Sequence, residues 1–323
     1  MPTPPDRRER LLTLPEARAK LGCGDDLLTA LLDRGFPVAA VEGGEPRLDL
    51  HDVINVGLYS GSGQSVPELA QRALFRFAST DPERWTAPTR WKIAVEHRCL
   101  AGDGGEHAGG WALAEPDPER WGGATDEWGS HEGLRLRLDG RGDAPERRAD
   151  SASATGTVRL EGRVQRVLAP TVIEAFDELV RGIQRDAPRF QWLPDALRAD
   201  PDGAARLGVT DCAASSLLLE RELGRLGFAT RTGDGCVLGL VPTPHAWVEV
   251  LDDDGVWKAL DPIFAAVAAR VPGTRPEFAA FCLGSFSSRV LPWNRRAGEA
   301  IAVHRCGRRA AVQTTVLSGM ARS

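Results

Sequence analysis

His245-Ala246-Trp247-Val248-Glu249-Val250, followed by Val256-Trp257-Lys258-Ala259-Leu260-Asp261 and then Pro262, is the stretch on which the reading of this chain turns. Both runs alternate at period two, so each reads as a β-strand with two distinct faces. His245, Trp247 and Glu249 share one face of the first, and Trp257, Ala259 and Asp261 share a face of the second. Asp252-Asp253-Asp254-Gly255 between them is a turn signal and makes the pair an antiparallel hairpin. Directly opposed residues in such a hairpin lie on the same side of the sheet. His245 and Asp261 therefore face the same way only if the paired residue numbers sum to an even value. A two-residue loop, Asp254-Gly255, gives an odd sum and separates them. A three-residue loop over 253–255 makes them diagonal neighbours, and a five-residue loop over 251–255 sets them directly opposite. Joint action of the two requires an odd loop, with Gly255 in the left-handed conformation.

Outward from the hairpin, Cys212 lies 33 residues before His245, and Asp261 lies 16 after it. Cys212 follows Gly208-Val209-Thr210-Asp211 and opens a run from Ala213 to Leu226 with Leu217, Leu218, Leu219, Leu223 and Leu226 at roughly helical spacing. Thr210 or Asp211 suits the N-cap, and Gly227 suits the stop. Cys212 then sits in the first turn, where unpaired N–H groups and the helix dipole favour a thiolate. Thiol, imidazole and carboxylate in this order suit a nucleophile, its base and the base's orienting group. Taken singly, each has a plainer reading. Cys212 would be a small core residue, His245 a hydrogen-bonded buried histidine, and Asp261 before Pro262 the start of a turn.

Taken together, Gly-x-x-Asp-Cys-x-x-x-Ser-x-Leu-Leu (208–219), Leu-Gly-Phe-Ala-Thr-Arg (226–231), His-Ala-Trp-Val-Glu-Val (245–250) and Gly-x-Trp-Lys-Ala-Leu-Asp-Pro (255–262) resemble the transglutaminase-like core of the papain-like cysteine-enzyme superfamily. The resemblance covers about 60 residues closely and about 120 loosely. It implies Cys212 as nucleophile, His245 as base and Asp261 as orienter. It also implies an α+β fold, with the helix that carries the cysteine packed on an antiparallel sheet. Asp211 departs from the family pattern, which often has a neutral residue there. An inward carboxylate would oppose the thiolate, so Asp211 is expected to cap the helix or face solvent. The family's oxyanion helper is a Gln or Trp upstream of the cysteine, and Gln191 and Trp192 have the right donors. Their plainer reading is a surface Gln191 and a core Trp192. Trp247 and Trp257 are the substrate-cleft candidates.

Three parts follow in the chain: 1–78, 79–168 and 169–323. Residues 10–78 read as a small helical module with a hairpin at Gly43-Gly44, and resemble an excisionase-type winged helix-turn-helix. Its would-be recognition helix carries Asp25, Asp26 and Asp33 against Arg34 alone, and residues 1–60 hold ten acidic and seven basic side chains. Phosphate binding needs the reverse balance, so a packing or protein-docking role is expected, through faces that include Leu27, Leu28, Leu31 and Leu32. Residues 79–168 read as a β-rich region, with alternating runs at Trp91–His97, Leu134–Leu138 and Thr157–Leu168. Gly-, Asp-, Glu- and Ser-rich loops are expected at 102–130 and 140–156. The third part is the catalytic domain, opening on a helix over Val172–Val180 and ending in a hairpin formed by 300–304 and 311–317.

Composition sets the remaining bounds. The 323 residues, 42% of them hydrophobic, can bury a real core. The net charge of −5 gives no reason to expect nucleic acid as a partner. Of 40 basic residues only Lys20, Lys92 and Lys258 are lysines, which reads as the codon bias of a GC-rich genome. Neither a secretory leader nor a membrane span stands out, and six cysteines fit a reducing cytoplasm. Cys23, Cys99, Cys236, Cys282 and Cys306 show no Cys-x-x-Cys spacing, and the six histidines mark no metal cluster, so no metal and no cofactor are expected. The expected activity is acyl transfer through a thioester acyl-enzyme. The donor is an amide or thioester on a peptide, small molecule or carrier, and the acceptor an amine or water. Two rivals stand beside it: a cysteine protease or amidase, and a non-enzymatic adaptor that binds a protein partner through residues 10–78.

Overall fold

The computed structural model describes residues 2–100, 109–136, 146–306 and 312–321. Its centre is a five-stranded antiparallel sheet in the order Leu283–Gly284, Trp257–Leu260, Thr243–Leu251, Thr230–Val237, Val290–Trp293. One face is covered by the helices Pro170–Gln184, Cys212–Arg225 and Pro262–Ala268. They bury Val172, Phe176, Leu219, Leu223 and Ile263 against Val248, Val250 and Leu260 of the sheet. Alternation sends the neighbouring residues Cys236, Leu238, Leu291 and Trp293 the other way, into a second core with Trp91, Ile93, Val95 and Val158. The resulting α+β architecture is helix on sheet on sheet.

The outer layer is a four-stranded antiparallel sheet in the order Val312–Met320, Thr89–Cys99, Glu146–Leu160, Ala124–Arg135. Two expectations fail here. The chain's last strand does not pair with Ala302–His304 in a closing hairpin. It runs along Thr89–Cys99, and Ala302–His304 pairs with Trp111–Leu113 instead. Both return to the second part of the chain, so the third part is not closed on itself. The stretches read as loops also contain strands, at Trp111–Leu113, Ala124–Arg135 and Glu146–Leu160; positions 102–108 and 140–145 lie outside the described residues. Small polar residues misled the reading. Ser151, Ala152, Ser153 and Ala154 are all buried in a central strand, where small side chains allow packing on both faces. The run expected to continue to Leu168 leaves the sheet after Leu160, and part of the Leu134–Leu138 run lies outside the described residues.

The N-terminal residues form helices Leu14–Leu21, Asp25–Asp33, Leu50–Leu58 and Val66–Phe75, with a three-stranded sheet that includes the hairpin Ala40–Glu42/Glu45–Asp49. The leucines of Asp25–Asp33 do not dock on the rest of the molecule. Leu28, Leu31 and Leu32 pack inside the module against Leu12, Ala17 and Val53, and Leu27 is exposed. Contact with the core comes from later residues. Phe75, Phe77 and Trp85 enter the central core. The Asn55 amide clasps the backbone of Trp192, accepting from its N–H at 2.8 Å and donating to its carbonyl at 3.0 Å. Tyr59 donates to the Phe190 carbonyl at 2.5 Å. No described helix is long and apolar enough to cross a membrane.

Candidate active site

Cys212 is the first residue of the helix Cys212–Arg225. Asp211 is its N-cap, accepting from the Ala214 N–H at 2.8 Å, and it is buried. The carboxylate does not face solvent. It takes the Nε–H of Arg198 at 2.9 Å, and the same guanidinium reaches the Cys212 sulfur at 3.9 Å through Nη2. Burial works against both charges. Asp211 is pushed up from the usual carboxylate range by desolvation, with Arg198 opposing. Arg198 is likewise opposed by burial but held firmly protonated by Asp211 and Cys212. The sequence reading missed Arg198. Its signal was the capping carboxylate itself, which once buried beside a thiol needs a cation.

The hairpin has the even register. Val248 pairs with Leu260 and Val250 with Lys258, so the loop is 253–255 and Gly255 sits at φ 73°. His245 and Asp261 are diagonal neighbours on one face, and the His245 Nε2 lies 2.5 Å from the Asp261 Oδ2. The other carboxylate oxygen, Oδ1, accepts from the Phe264 N–H at 2.9 Å and caps the helix Pro262–Ala268. Both oxygens are thereby fixed. The imidazole stacks on Phe264 at 4.0 Å between ring centres and is buried. Burial disfavours its charge, but Asp261 and the hydrogen bond to Cys212 outweigh this and raise its pKa to about 10. With Nε2 taken by the carboxylate, Nδ1 is the nitrogen left for the sulfur.

Cys212, half-buried, and His245 open on a cavity of about 280 Å³ whose walls are mainly apolar. The third part of the chain contributes Phe190, Trp192, Ile263 and Phe264, and the N-terminal module contributes Val66, Pro67, Leu74 and Phe75. This second wall had no sequence signal, because it depends on docking. Of the two oxyanion candidates, Trp192 lines the cavity. Gln191 is buried beside the helix start, its N–H donating to the Thr210 carbonyl at 2.8 Å. The two cleft candidates are elsewhere. Trp247 is buried behind the imidazole and donates to Glu249 Oε1 at 3.0 Å. Trp257 is at the turn end of its strand, with the Arg231 guanidinium over its ring at 4.3 Å. Folding brings Cys99, His304 and Cys306 together, although their spacing in the sequence does not connect them.

No family model and no curated protein matches this chain. A solved structure from Cytophaga hutchinsonii, described as that of a candidate cysteine protease, is similar at 12% identity and a TM-score of 0.38. The similarity covers 74% of this chain and 92% of that one.

Proposed function

We propose that the protein is a cysteine-nucleophile acyl-transfer enzyme. The observation that supports this best is the line of contacts from Asp261 through His245 to Cys212, ending at the wall of an apolar cavity. The cationic imidazole next to the sulfur favours the thiolate, which attacks the carbonyl of an amide or thioester. The tetrahedral oxyanion is stabilised by the Cys212 backbone N–H at the helix start, with the Trp192 indole or the Gln191 amide as helper. The His245 imidazolium gives its proton to a departing amine, and the thioester acyl-enzyme remains on Cys212. An incoming amine then attacks, His245 takes its proton, and the new amide leaves with the thiolate restored. Water in place of the amine gives the acid, which is the protease or amidase reading. The apolar walls fit an acyl group that is itself apolar.

Intact-mass spectrometry after incubation with aliphatic acyl thioesters and amides tests this. The expected result is one acyl group on the chain, absent from Cys212→Ala, and discharged to an amide when a primary amine is added. Discharge to the free acid with amines present would favour hydrolysis. Failure of every donor to acylate the wild-type chain would leave the adaptor reading in its place.

A further inference from the structure

We propose that Cys99, Cys306 and His304 form a binding site for a soft divalent metal ion, zinc above all, that clips the end of the strand Thr89–Cys99 to the segment that follows the strand Ala302–His304. The site is separate from Cys212 and its fate is independent of the catalytic reading. Cys99 ends the strand Thr89–Cys99, His304 ends Ala302–His304, and Cys306 follows two residues later. Each offers one ligand atom, and these atoms lie within 4.8 Å of one another. The two sulfurs are 3.8 Å apart. Two thiolates at about 2.3 Å from one tetrahedral zinc are separated by about 3.8 Å.

The imidazole is prepared for this role. His304 Nε2 lies 3.0 Å from the Gly109 carbonyl. A carbonyl only accepts, so Nε2 carries the proton and Nδ1 carries the lone pair. That outer hydrogen bond is the arrangement that orients a metal-bound histidine and fixes its tautomer. Trp111 stacks on the ring at 4.4 Å and holds its plane. Gly109 can approach because it lacks a side chain; a Cβ there would meet the Arg305 carbonyl oxygen at 1.5 Å. Two sulfurs and one imidazole suit zinc and reject magnesium or calcium, which prefer oxygen. Cys99 and His304 are buried and Cys306 is partly exposed, which leaves a way in and a fourth position for water. A disulfide between the same sulfurs would need an oxidant, and would use neither the imidazole nor its carbonyl partner.

Binding deprotonates both thiols, releasing two protons, so affinity falls as the pH drops. The ion would close a span of 207 residues and join Thr89–Cys99 to the segment that leads into Val312–Met320, its pairing partner. Its loss should lower the melting temperature.

The full chain, purified reduced and without chelator, is assayed by elemental analysis and then reloaded with Co²⁺. The expected result is one zinc per chain, kept in Cys212→Ala and lost in Cys99→Ser and His304→Ala. The cobalt form of the wild type should show a thiolate-to-metal charge-transfer band, a readout that does not depend on any variant folding. Absence of both zinc and that band from the wild-type chain overturns the proposal. So does zinc content unchanged in Cys99→Ser, or a chain two hydrogens lighter with Cys99 joined to Cys306.

Discussion

Asp211 stands immediately before the proposed nucleophile, where an unpaired carboxylate would oppose a thiolate. The cation that answers it is Arg198, 2.9 Å from the carboxylate and 3.9 Å from the sulfur. Removing one partner of a buried pair leaves the other charge uncompensated, at roughly 3–5 kcal/mol. Arg198→Ala should therefore destabilise strongly and slow alkylation of Cys212. Arg198→Met combined with Asp211→Asn should recover most of the stability, measured by denaturant unfolding. A double variant as weak as Arg198→Ala would refute the pairing. Asp261 acts at the same scale. Asp261→Asn keeps the helix cap through Oδ1 but withdraws charge from the imidazole, so turnover should fall on the order of 10³- to 10⁴-fold with the fold retained. The sign of the pH dependence follows from His245. Its raised pKa keeps the imidazolium through neutral pH, so acylation should persist there and fall as the pH rises through about 10. A rate lost instead on passing about 6.5, the ordinary value for histidine, would contradict the ion pair.

At the scale of elements, the joint between the N-terminal module and the core carries its own titration. Glu9 accepts the Asp195 N–H, and burial raises its carboxyl to about 7, with the Asp195 charge adding to the rise. The folded state then holds a proton that the unfolded state has released above about 4.5. Stability should fall as the pH rises from about 4.5 to about 7, and Glu9→Gln should flatten that slope in thermal melts. Parallel curves for the two proteins would refute it. The hairpin tip behaves oppositely. Desolvation works against ionisation of Asp252, but Lys258 at 2.6 Å and the N–H groups of Leu168 and Ala169 hold it down at about 2. Its contribution is present above about 3.8 and lost as the pH falls toward about 2, so Asp252→Asn should blunt acid unfolding in that window. The hairpin was the most legible element of the chain. Period two, a Gly-terminated turn and a parity rule suffice to place His245 and Asp261 on one face. The strand Glu146–Leu160 was not legible, because small buried residues look like loop when the sheets that cover them are unknown. The pairing of Val312–Met320 with Thr89–Cys99 was hidden because it joins segments far apart in the chain.

For the whole molecule, the layers explain why the cavity is where it is. The central sheet presents the imidazole and carboxylate, the helix packed on it presents the thiol, and the N-terminal module supplies the facing apolar wall. The charge balance of that module was legible in its residues. Its docking face was not, because Asn55, Val66, Pro67 and Leu74 gain meaning only beside Phe190 and Trp192. Nucleophilic catalysis by Cys212 requires a thiol chemically distinct from the others. Burial raises the thiols of Cys236, to about 12, and of Cys282, and raises that of Cys23 less. The direct measurement is site-resolved iodoacetamide labelling at neutral pH, read by peptide mass spectrometry in wild type and His245→Ala. Cys212 should be modified first by a wide margin, and His245→Ala should abolish the margin. Labelling of Cys212 no faster than Cys23, or unchanged by His245→Ala, would contradict nucleophilic catalysis by Cys212.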